Sequence, residues 1–207
     1  ERVALCPGSF DAEKDLPGEE SEIATSGTRI HWALEHDDCS KLTDDEVDLA
    51  DRAAELRKEL IDGFFLSEPI MEKIMGDPDL CHQRETRLYA FNDRFSGQFD
   101  GMVIDGHRAI LYDYKTGYLE PIVATHNLQM RSLAVLVQYN HLDITEITTA
   151  IIQPRIRPEI SLAVYDADDL EKARVEVKAI LDRAYAPGAR RQPGPIQCKY
   201  CRAKADC

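Results

Sequence analysis

Residues 96–117 read SGQFDGMVIDGHRAILYDYKTG and carry the clearest structural signal in the chain. Residues 96–104 alternate in polarity and, like residues 109–115, are rich in residues that favour strands. The Asp105-Gly106 dipeptide between them is typical of a hairpin turn. The sequence therefore predicts a β-hairpin, and its polar residues can be placed by counting from the turn.

The register of this hairpin depends on the length of its turn. If Asp105-Gly106 forms a two-residue turn, Ile104 pairs with His107 and Asp100 pairs with Leu111. A three-residue loop would instead move Asp100 to the opposite face, unless a β-bulge restored the phase.

With the two-residue turn, three polar side chains share one face of the hairpin. Asp113 lies two residues beyond the partner of Asp100, and Lys115 lies two residues further. Asp100 and Asp113 are then diagonal neighbours, about 7–8 Å apart between backbones. We expect two carboxylates and a lysine to converge on one patch, with Tyr112 and Tyr114 pointing the other way into a core.

This patch has the chemistry of a metal site. Carboxylate oxygens are hard ligands that suit Mg²⁺ or Mn²⁺. A bound metal lowers the pKa of a water molecule and stabilises charge on a phosphate, while a lysine can orient that water. The alternative is a salt-bridged surface hairpin, since Asp-x-Lys is common on strands.

The rest of the chain predicts helices before and after the hairpin. Thr43-Asp44-Asp45-Glu46 is a capping box, which marks the start of a helix. Apolar spacing predicts helices over 21–35, 43–66, 120–140 and 166–185, and strands over 85–91, 144–153 and 161–165. This order indicates an α/β fold with a small mixed β-sheet flanked by helices.

Composition limits the function classes. The chain has 207 residues, enough for one domain, and a formal net charge of −13. This charge argues against a protein that coats nucleic acid, which needs clustered Lys and Arg. The acidic residues concentrate in 13–22 and 37–59 and the basic ones in 84–131 and 155–204, which leaves room for a local basic groove. No apolar run approaches the ~20 residues needed to span a bilayer.

The hairpin motif resembles the RecB-like branch of the PD-(D/E)XK nucleases. The matching elements are Gly97-x-x-Asp100 and, about a dozen residues later, Asp113-Tyr114-Lys115-Thr116-Gly117. Upstream, Gly27-Thr28-Arg29-Ile30-His31 fits the Gly-x-x-x-His element of that branch. The resemblance implies a restriction-endonuclease-like core in which His31, Asp100, Asp113 and the backbone carbonyl of Tyr114 bind Mg²⁺ or Mn²⁺, and Lys115 is the catalytic lysine.

Two further residues match the family less fully. Glu85 corresponds to a glutamate often found one strand earlier, although strand glutamates are usually solvated. The Gln-x-x-x-Tyr element is Gln129-Met130-Arg131-Ser132-Leu133 here, with leucine in place of tyrosine. Gln129 is therefore a candidate contact near the site or to DNA, the alternative being a helix-surface glutamine, and Gln138-Tyr139 is a weaker match.

The cysteines form a second pattern. Cys198-x-x-Cys201 and Cys207 crowd the C-terminal end, and Cys6 is the natural fourth ligand of a soft metal centre. The set resembles the [4Fe–4S] staple of AddB-type and CRISPR-associated RecB-like nucleases, and structural Zn²⁺ is the alternative. Cys39 and Cys81 fit no pattern and are interpreted as ordinary thiols.

Taken with the cysteines, the resemblance spans nearly the whole chain. It implies a single nuclease domain, with 1–20 and 187–207 joined by the cluster, a helical segment over 21–80 and a catalytic core over 81–186. The expected function is a metal-dependent DNA exonuclease acting on DNA ends or single strands in recombination or repair. The chain also resembles phage and prophage proteins of this nuclease branch. The resemblance implies a cytoplasmic protein in a bacterial cell or phage-infected host.

Two other functions stay open at this stage. The chain could be a non-catalytic nucleic-acid-binding or scaffold protein that retains the nuclease fold, or it could act on another phosphoester such as RNA. Recombination or replication proteins are the expected partners, no membrane is expected, and ring-forming relatives in the wider superfamily make an oligomer compatible with the sequence.

Overall fold

A five-stranded mixed sheet forms the centre of the computed structural model, which describes residues 1–17, 22–64, 82–119, 123–156 and 159–207. The strands are β1 (His82–Ala90), β2 (Phe95–Asp105), β3 (Arg108–Tyr114), β4 (Glu146–Ile152) and β5 (Ile160–Tyr165). They lie in sequence order, and all neighbours are antiparallel except β3 and β4, which are parallel. The predicted α/β fold class is confirmed.

Helices cover both faces of this sheet. In the described residues they are α1 (Arg2–Leu5), α2 (Ser9–Glu13), α3 (Glu22–His36), α4 (Asp44–Phe64), α5 (Leu128–Asn140) and α6 (Ala167–Ala184), with 3₁₀ turns at Ala124–His126 and Lys204–Asp206. The predicted helix 43–66 ends at Phe64, and its last two predicted residues lie outside the described part. Within the described residues, no helix combines the length and apolar character needed to cross a membrane.

Two hydrophobic cores hold the layers together. Helices α3 and α4 bury one apolar face against the side of the sheet that carries Tyr112 and Tyr114, as the alternation predicts. Helix α5 packs on the opposite face, against Phe99 and Leu111. Helix α6 packs on the outside of α5 through Val135. The sheet is thus covered on both sides, and the polar ends of its central strands remain available for a site.

The predicted hairpin register is wrong by two residues. Asp105 pairs with Arg108 and Ile104 with Ala109, so the turn is Gly106-His107. Gly106 has a φ of +57°, which suits the first central position of a type II′ turn. A shift of two keeps every side chain on its predicted face, and extending the register by one residue places Asp100 opposite Asp113 instead of diagonal to it.

The predicted helix 120–140 begins later than expected. Helix α5 starts at Leu128 because the Asn127 side chain accepts hydrogen bonds from the backbone N–H groups of Gln129, at 2.9 Å, and Met130, at 3.2 Å. An asparagine in this position satisfies amides that have no partner within the helix. The preceding residues from Ala124 to His126 form a separate 3₁₀ turn, and residues 120–122 lie outside the described part.

The two ends of the chain contact each other. Glu13, on α2, is 8% exposed and accepts a hydrogen bond from the backbone N–H of Arg202 at 2.8 Å. The guanidinium of Arg2 also pairs with Glu13. The backbone N–H of Gly8 donates to the carbonyl of Arg190 at 3.0 Å. The short helices α1 and α2 thus contact the C-terminal tail.

Candidate metal centre

Strands β2 and β3 separate at the site, and Asp100 lies where they part. Their pairing runs from the turn only as far as Gly101 and Tyr112. One residue beyond, the Asp100 carboxylate accepts a hydrogen bond from the backbone N–H of Tyr114 at 2.5 Å. The side chain therefore takes the place of a strand–strand hydrogen bond, which fixes its direction.

Three potential ligands meet at this point. The Nδ1 atom of His31, on α3, is 3.1 Å from Asp100 Oδ1 and 4.0 Å from Glu85 Oε1. One ligand atom from each of His31, Glu85 and Asp100 lies within 4.8 Å of the others. We call these three residues the acidic-histidine group. Carboxylate oxygens with one imidazole nitrogen form a donor set that fits Mn²⁺ or Mg²⁺.

Glu85 reaches this group through an unusual backbone conformation. Its φ is +46°, in the left-handed region that residues with a Cβ rarely occupy. Regular pairing with β2 holds on both sides of it, at Arg84 and Thr86. The amide Nε2 of Gln98 donates to Glu85 at 2.5 Å. Strained backbone persists where the surroundings over-determine it, which often occurs at functional sites.

Two arginines fix the helix that carries His31. Arg84 Nη1 donates to the carbonyl of Glu35 at 3.0 Å and pairs with Asp37 at 2.8 Å. Arg57, on α4, donates to the carbonyl of Leu34 at 3.2 Å. Cations at a helix C-terminus satisfy its free carbonyls and oppose its dipole. Because Arg84 is the chain neighbour of Glu85, it ties α3 to the strand that supplies the glutamate.

A second network lies beside the acidic-histidine group. Asp113 is 4% exposed, and its Oδ2 is 2.5 Å from Lys115 Nζ. Gln129 Nε2 donates to the other oxygen of Asp113 at 2.8 Å, and Lys115 Nζ donates to Gln129 Oε1 at 3.1 Å. Asp113, Lys115 and Gln129 thus form a closed triangle, which we call the lysine triangle.

The site residues predicted from the sequence are distributed between the acidic-histidine group and the lysine triangle. His31 and Asp100 come together as expected, but the compact group contains Glu85 in place of Asp113. Asp113 is held by Lys115 and Gln129 instead. Tyr114 contributes its backbone N–H to Asp100 while its side chain lies in the core. Gln129 is exposed on α5, as the helix-surface alternative expects, and it also forms two hydrogen bonds within the triangle.

The electrostatics show how closely the two groups interact. Burial would lower the pKa of His31, but its hydrogen bond to Asp100 and the charges of Asp100, Asp113 and Glu85 raise it above the ordinary value. Burial raises the pKa of Glu85, against the hydrogen bond from Gln98. Burial and the charge of Asp100 raise the pKa of Asp113, against the nearby Lys115. The negative charges of Glu85 and Asp113 are therefore costly at this position, so the site favours a cation.

The four cysteines of the tail pattern line one cavity. Its volume is about 250 Å³, and Cys6, Cys198, Cys201 and Cys207 all contribute to its wall. Backbone N–H groups donate to two of the sulfurs, from Gln192 to Cys6 at 3.1 Å and from Gly194 to Cys198 at 3.3 Å. Such donors stabilise thiolate ligands. The five cysteines of the described part are free thiols, and Cys81 lies outside it.

The spacing of these sulfurs differs from that of a closed zinc site. Four sulfurs bound tetrahedrally at 2.3 Å from one ion lie about 3.8 Å apart. Among the described residues, the acidic-histidine group is the one set of three or more potential ligands within 4.8 Å, and it contains no cysteine. The cysteines therefore share a cavity without forming a compact single-ion site. Cys39 packs beside the α3–α4 core, in agreement with its interpretation as an ordinary thiol.

Sequence reasoning missed the supporting residues. Gln98 stands inside the quoted motif, yet nothing in its type or spacing indicates a bond to Glu85. Arg57 and Arg84 are ordinary amphipathic-helix and strand residues in the sequence. Their role depends on where α3 ends, and this end is visible only once the helix is placed against β1.

Fold and site together define an α/β protein with a candidate metal centre at the end of its central strands. The whole chain, residues 1–207, matches the family described as "Protein of unknown function (DUF2800)", and it belongs to that family. A search of curated proteins gave no match.

Two solved structures are similar to 97% of the chain. One is described as the crystal structure of SSO0001, with 13% identity, 94% of that chain covered and a TM-score of 0.38. The other is described as a "Putative exonuclease" from Eubacterium rectale, with 12% identity, 80% of that chain covered and a TM-score of 0.46.

Proposed function

We propose that this protein is a Mg²⁺- or Mn²⁺-dependent deoxyribonuclease, an exonuclease that acts on DNA ends in recombination or repair. The observation that carries the proposal is the position of the acidic-histidine group beside a buried aspartate paired with a lysine. A cation site next to a positioned ammonium group suits hydrolysis of a phosphodiester, whose transition state gathers negative charge.

Each residue then has a defined role. His31, Glu85 and Asp100 would hold the metal together with the adjacent Asp113, and the bound metal supplies an activated water and neutralises phosphate charge. Lys115 orients the attacking water and stabilises the charge that develops. Gln129 holds Asp113 and Lys115 in a fixed relative position through its two amide contacts.

The test is divalent-dependent cleavage of a panel of single-stranded DNA, duplex DNA and RNA. We expect cleavage of DNA in Mn²⁺ or Mg²⁺, and a loss of about 100-fold or more in Lys115→Met and Asp113→Asn. Lys172→Met is the matched control, because Lys172 is 74% exposed and pairs with a neighbouring residue of its own helix, Asp169. Cleavage that persists in both active-site variants would refute the nuclease assignment.

Metal binding is a separate readout of the same proposal. His31→Ala and Glu85→Gln should weaken Mn²⁺ binding, measured by titration calorimetry, whether or not the substrate is known. The main alternative function is that of a non-catalytic nucleic-acid-binding protein. The presence of Leu133, where the Gln-x-x-x-Tyr element of the similar nucleases has tyrosine, favours this alternative. Tight DNA binding without turnover at saturating Mn²⁺ would select that alternative.

We also propose that Cys6, Cys198, Cys201 and Cys207 bind a [4Fe–4S] cluster. The shared cavity supports it, as do the N–H donors to two sulfurs, and a four-iron cluster spaces its thiolates more widely than a single ion does. An anaerobic preparation should be brown and contain about four irons per chain. Cys201→Ser should lose the iron while Cys39→Ser keeps it. One zinc and no iron in the anaerobic protein would refute the cluster.

A further inference from the structure

An exposed tyrosine and an arginine lie stacked just beyond the lysine triangle. Tyr118 follows β3 and is 71% exposed, which is unusual for so large an aromatic residue. The guanidinium carbon of Arg155, from the segment after β4, lies 4.3 Å from the centre of the Tyr118 ring. Arg155 covers one face of the ring, and the exposed area leaves the other face in solvent.

Buried hydrogen bonds hold the two segments that carry this pair. Gln153 is 2% exposed, and its Nε2 donates to the carbonyl of Gly117 at 3.1 Å. Its Oε1 accepts from the backbone N–H of Arg155, also at 3.1 Å. Arg155 Nε donates to the carbonyl of Thr116 at 2.8 Å. One buried amide thus ties both segments together, so the stacked pair is pre-organised and not a chance surface contact.

The pair belongs to the same end of the sheet as the candidate metal centre. Tyr118 is three residues after Lys115, and the backbone N–H of Lys115 donates to Ile152 at the end of β4 at 2.9 Å. Arg155 places a cationic side chain here on a chain whose formal net charge is −13, while the charge of Lys115 is paired with Asp113. A polyanion that reaches the metal centre would meet positive charge at this position.

An aromatic face backed by a guanidinium is a suitable surface for a nucleobase. Bases stack on aromatic side chains without regard to sequence, and arginine adds a cation–π contribution. A base inside a duplex cannot offer its face, so this contact requires an unpaired base. We propose that Tyr118 and Arg155 form a stacking platform for an unpaired base of the strand that enters the metal centre. This proposal rests on the proposed nuclease function and specifies its substrate as a single strand or an end with unpaired bases.

The experiment compares binding of three labelled nucleic acids by fluorescence anisotropy, with EDTA present so that no strand is cut. They are a single-stranded oligonucleotide, the same length of abasic strand and a blunt duplex. We expect Tyr118→Ala to weaken binding of the base-bearing strand about 10-fold and to leave the abasic strand unchanged. Tyr118→Trp should restore the affinity. Tyr200→Ala is the matched control, because Tyr200 is 67% exposed and lies under Lys199 at 5.0 Å but belongs to the cysteine tail.

The outcomes separate this proposal from the nuclease assignment. If the wild-type protein cuts DNA and Tyr118→Ala binds the base-bearing strand normally, the platform is refuted and the nuclease stands. An equal loss on the abasic strand refutes it as well, because the contact would then be to phosphate. If no substrate is cut but binding still depends on Tyr118 and on the bases, the stacking platform is supported and the nuclease assignment is refuted. A wild-type protein that binds none of the three would overturn the platform.

Discussion

Replacing Glu46 by glutamine should destabilise the fold, with a dependence on pH that identifies the cause. Glu46 lies in the first turn of α4, and its side chain is 6% exposed. Its carboxylate accepts hydrogen bonds from Ser26 Oγ at 2.6 Å and Arg29 Nη2 at 2.5 Å, both on α3, and from the backbone N–H of Thr43 at 3.0 Å. This last bond is half of the capping box that the sequence predicts.

The size of the effect follows from the acidity of this carboxylate. The hydrogen bond from Arg29, opposed by burial and helped by Ser26 and Thr43, lowers the pKa of Glu46 from 4.5 to about 2. At about 1.4 kcal/mol per pKa unit, the shift corresponds to at most about 3.5 kcal/mol of stability. Glutamine keeps the shape and part of the hydrogen bonding, so we expect Glu46→Gln to lose about 2 kcal/mol at pH 7.

The sign of the pH dependence is fixed by the direction of the shift. A carboxyl whose folded pKa is depressed stabilises the fold fully above its unfolded pKa, and this stability is lost as the pH falls toward the folded pKa. The difference in the free energy of unfolding between wild type and Glu46→Gln should therefore be largest above pH 5 and should shrink between pH 4.5 and 2. Urea unfolding across this range measures it. Glu55→Gln is the control, since Glu55 lies on the same helix with its side chain 67% exposed. A difference that is constant with pH, or absent at pH 7, would refute the reasoning.

Three further stability predictions test the packing of Gly101, the exposed Gly63 on α4 and the half-buried His82. An added Cβ at Gly101 would lie 2.1 Å from ring atoms of Tyr112, so Gly101→Ala should cost about 3 kcal/mol in urea unfolding. Gly63→Ala on α4, where a Cβ meets nothing within 4 Å, should stabilise by about 0.5–1 kcal/mol, and equal effects at the two sites would contradict this account. Burial, with the charges of Arg84 and Arg57, lowers the pKa of His82 to about 4. Because the unfolded imidazole then takes up its proton first, stability should fall as the pH drops from about 6.5 to 4. His82→Gln should flatten this part of the profile of Tm against pH, and an unchanged profile would show that His82 is not its source.

The hairpin shows what a period of two can and cannot predict. Alternation placed Asp100, Asp113 and the two tyrosines on their correct faces even though the turn was misplaced, because an error of two residues preserves the face. It could not show that β2 and β3 part after Gly101. Beyond the pair of Gly101 with Tyr112, the Asp100 carboxylate accepts a hydrogen bond from the backbone N–H of Tyr114, a side-chain contact that alternation does not predict.

The position of Glu85 could not be read from the sequence for a different reason. A regular strand predicts its side chain from its neighbours, but Glu85 departs from the regular geometry, with a φ of +46°. The contacts that hold it, from Gln98 and through Arg84 to the end of α3, join elements distant in the chain. His31 was likewise predicted as a metal ligand only from the family resemblance, because no local sequence pattern distinguishes it from a core histidine. Local sequence predicted the elements, and long-range packing decided which carboxylate completes the acidic-histidine group.

Leu133 stands where the Gln-x-x-x-Tyr element of the similar nucleases has a tyrosine, and its packing shows what replaces that residue here. It is 4% exposed, and an added Cβ at Gly97 would lie 2.9 Å from its Cδ2 and 2.8 Å from Leu136 Cδ1. Leucines of α5 thus pack directly on β2 at the glycine that opens Gly97-x-x-Asp100, and a larger residue there would force their side chains to shift. A buried leucine at 133 offers no aromatic face, so under the proposed function an aromatic contact to a DNA strand must come from another element. Tyr118, exposed and backed by Arg155 beside the lysine triangle, has the chemistry for it. In this chain we therefore expect strand positioning to depend on residue 118 and not on residue 133.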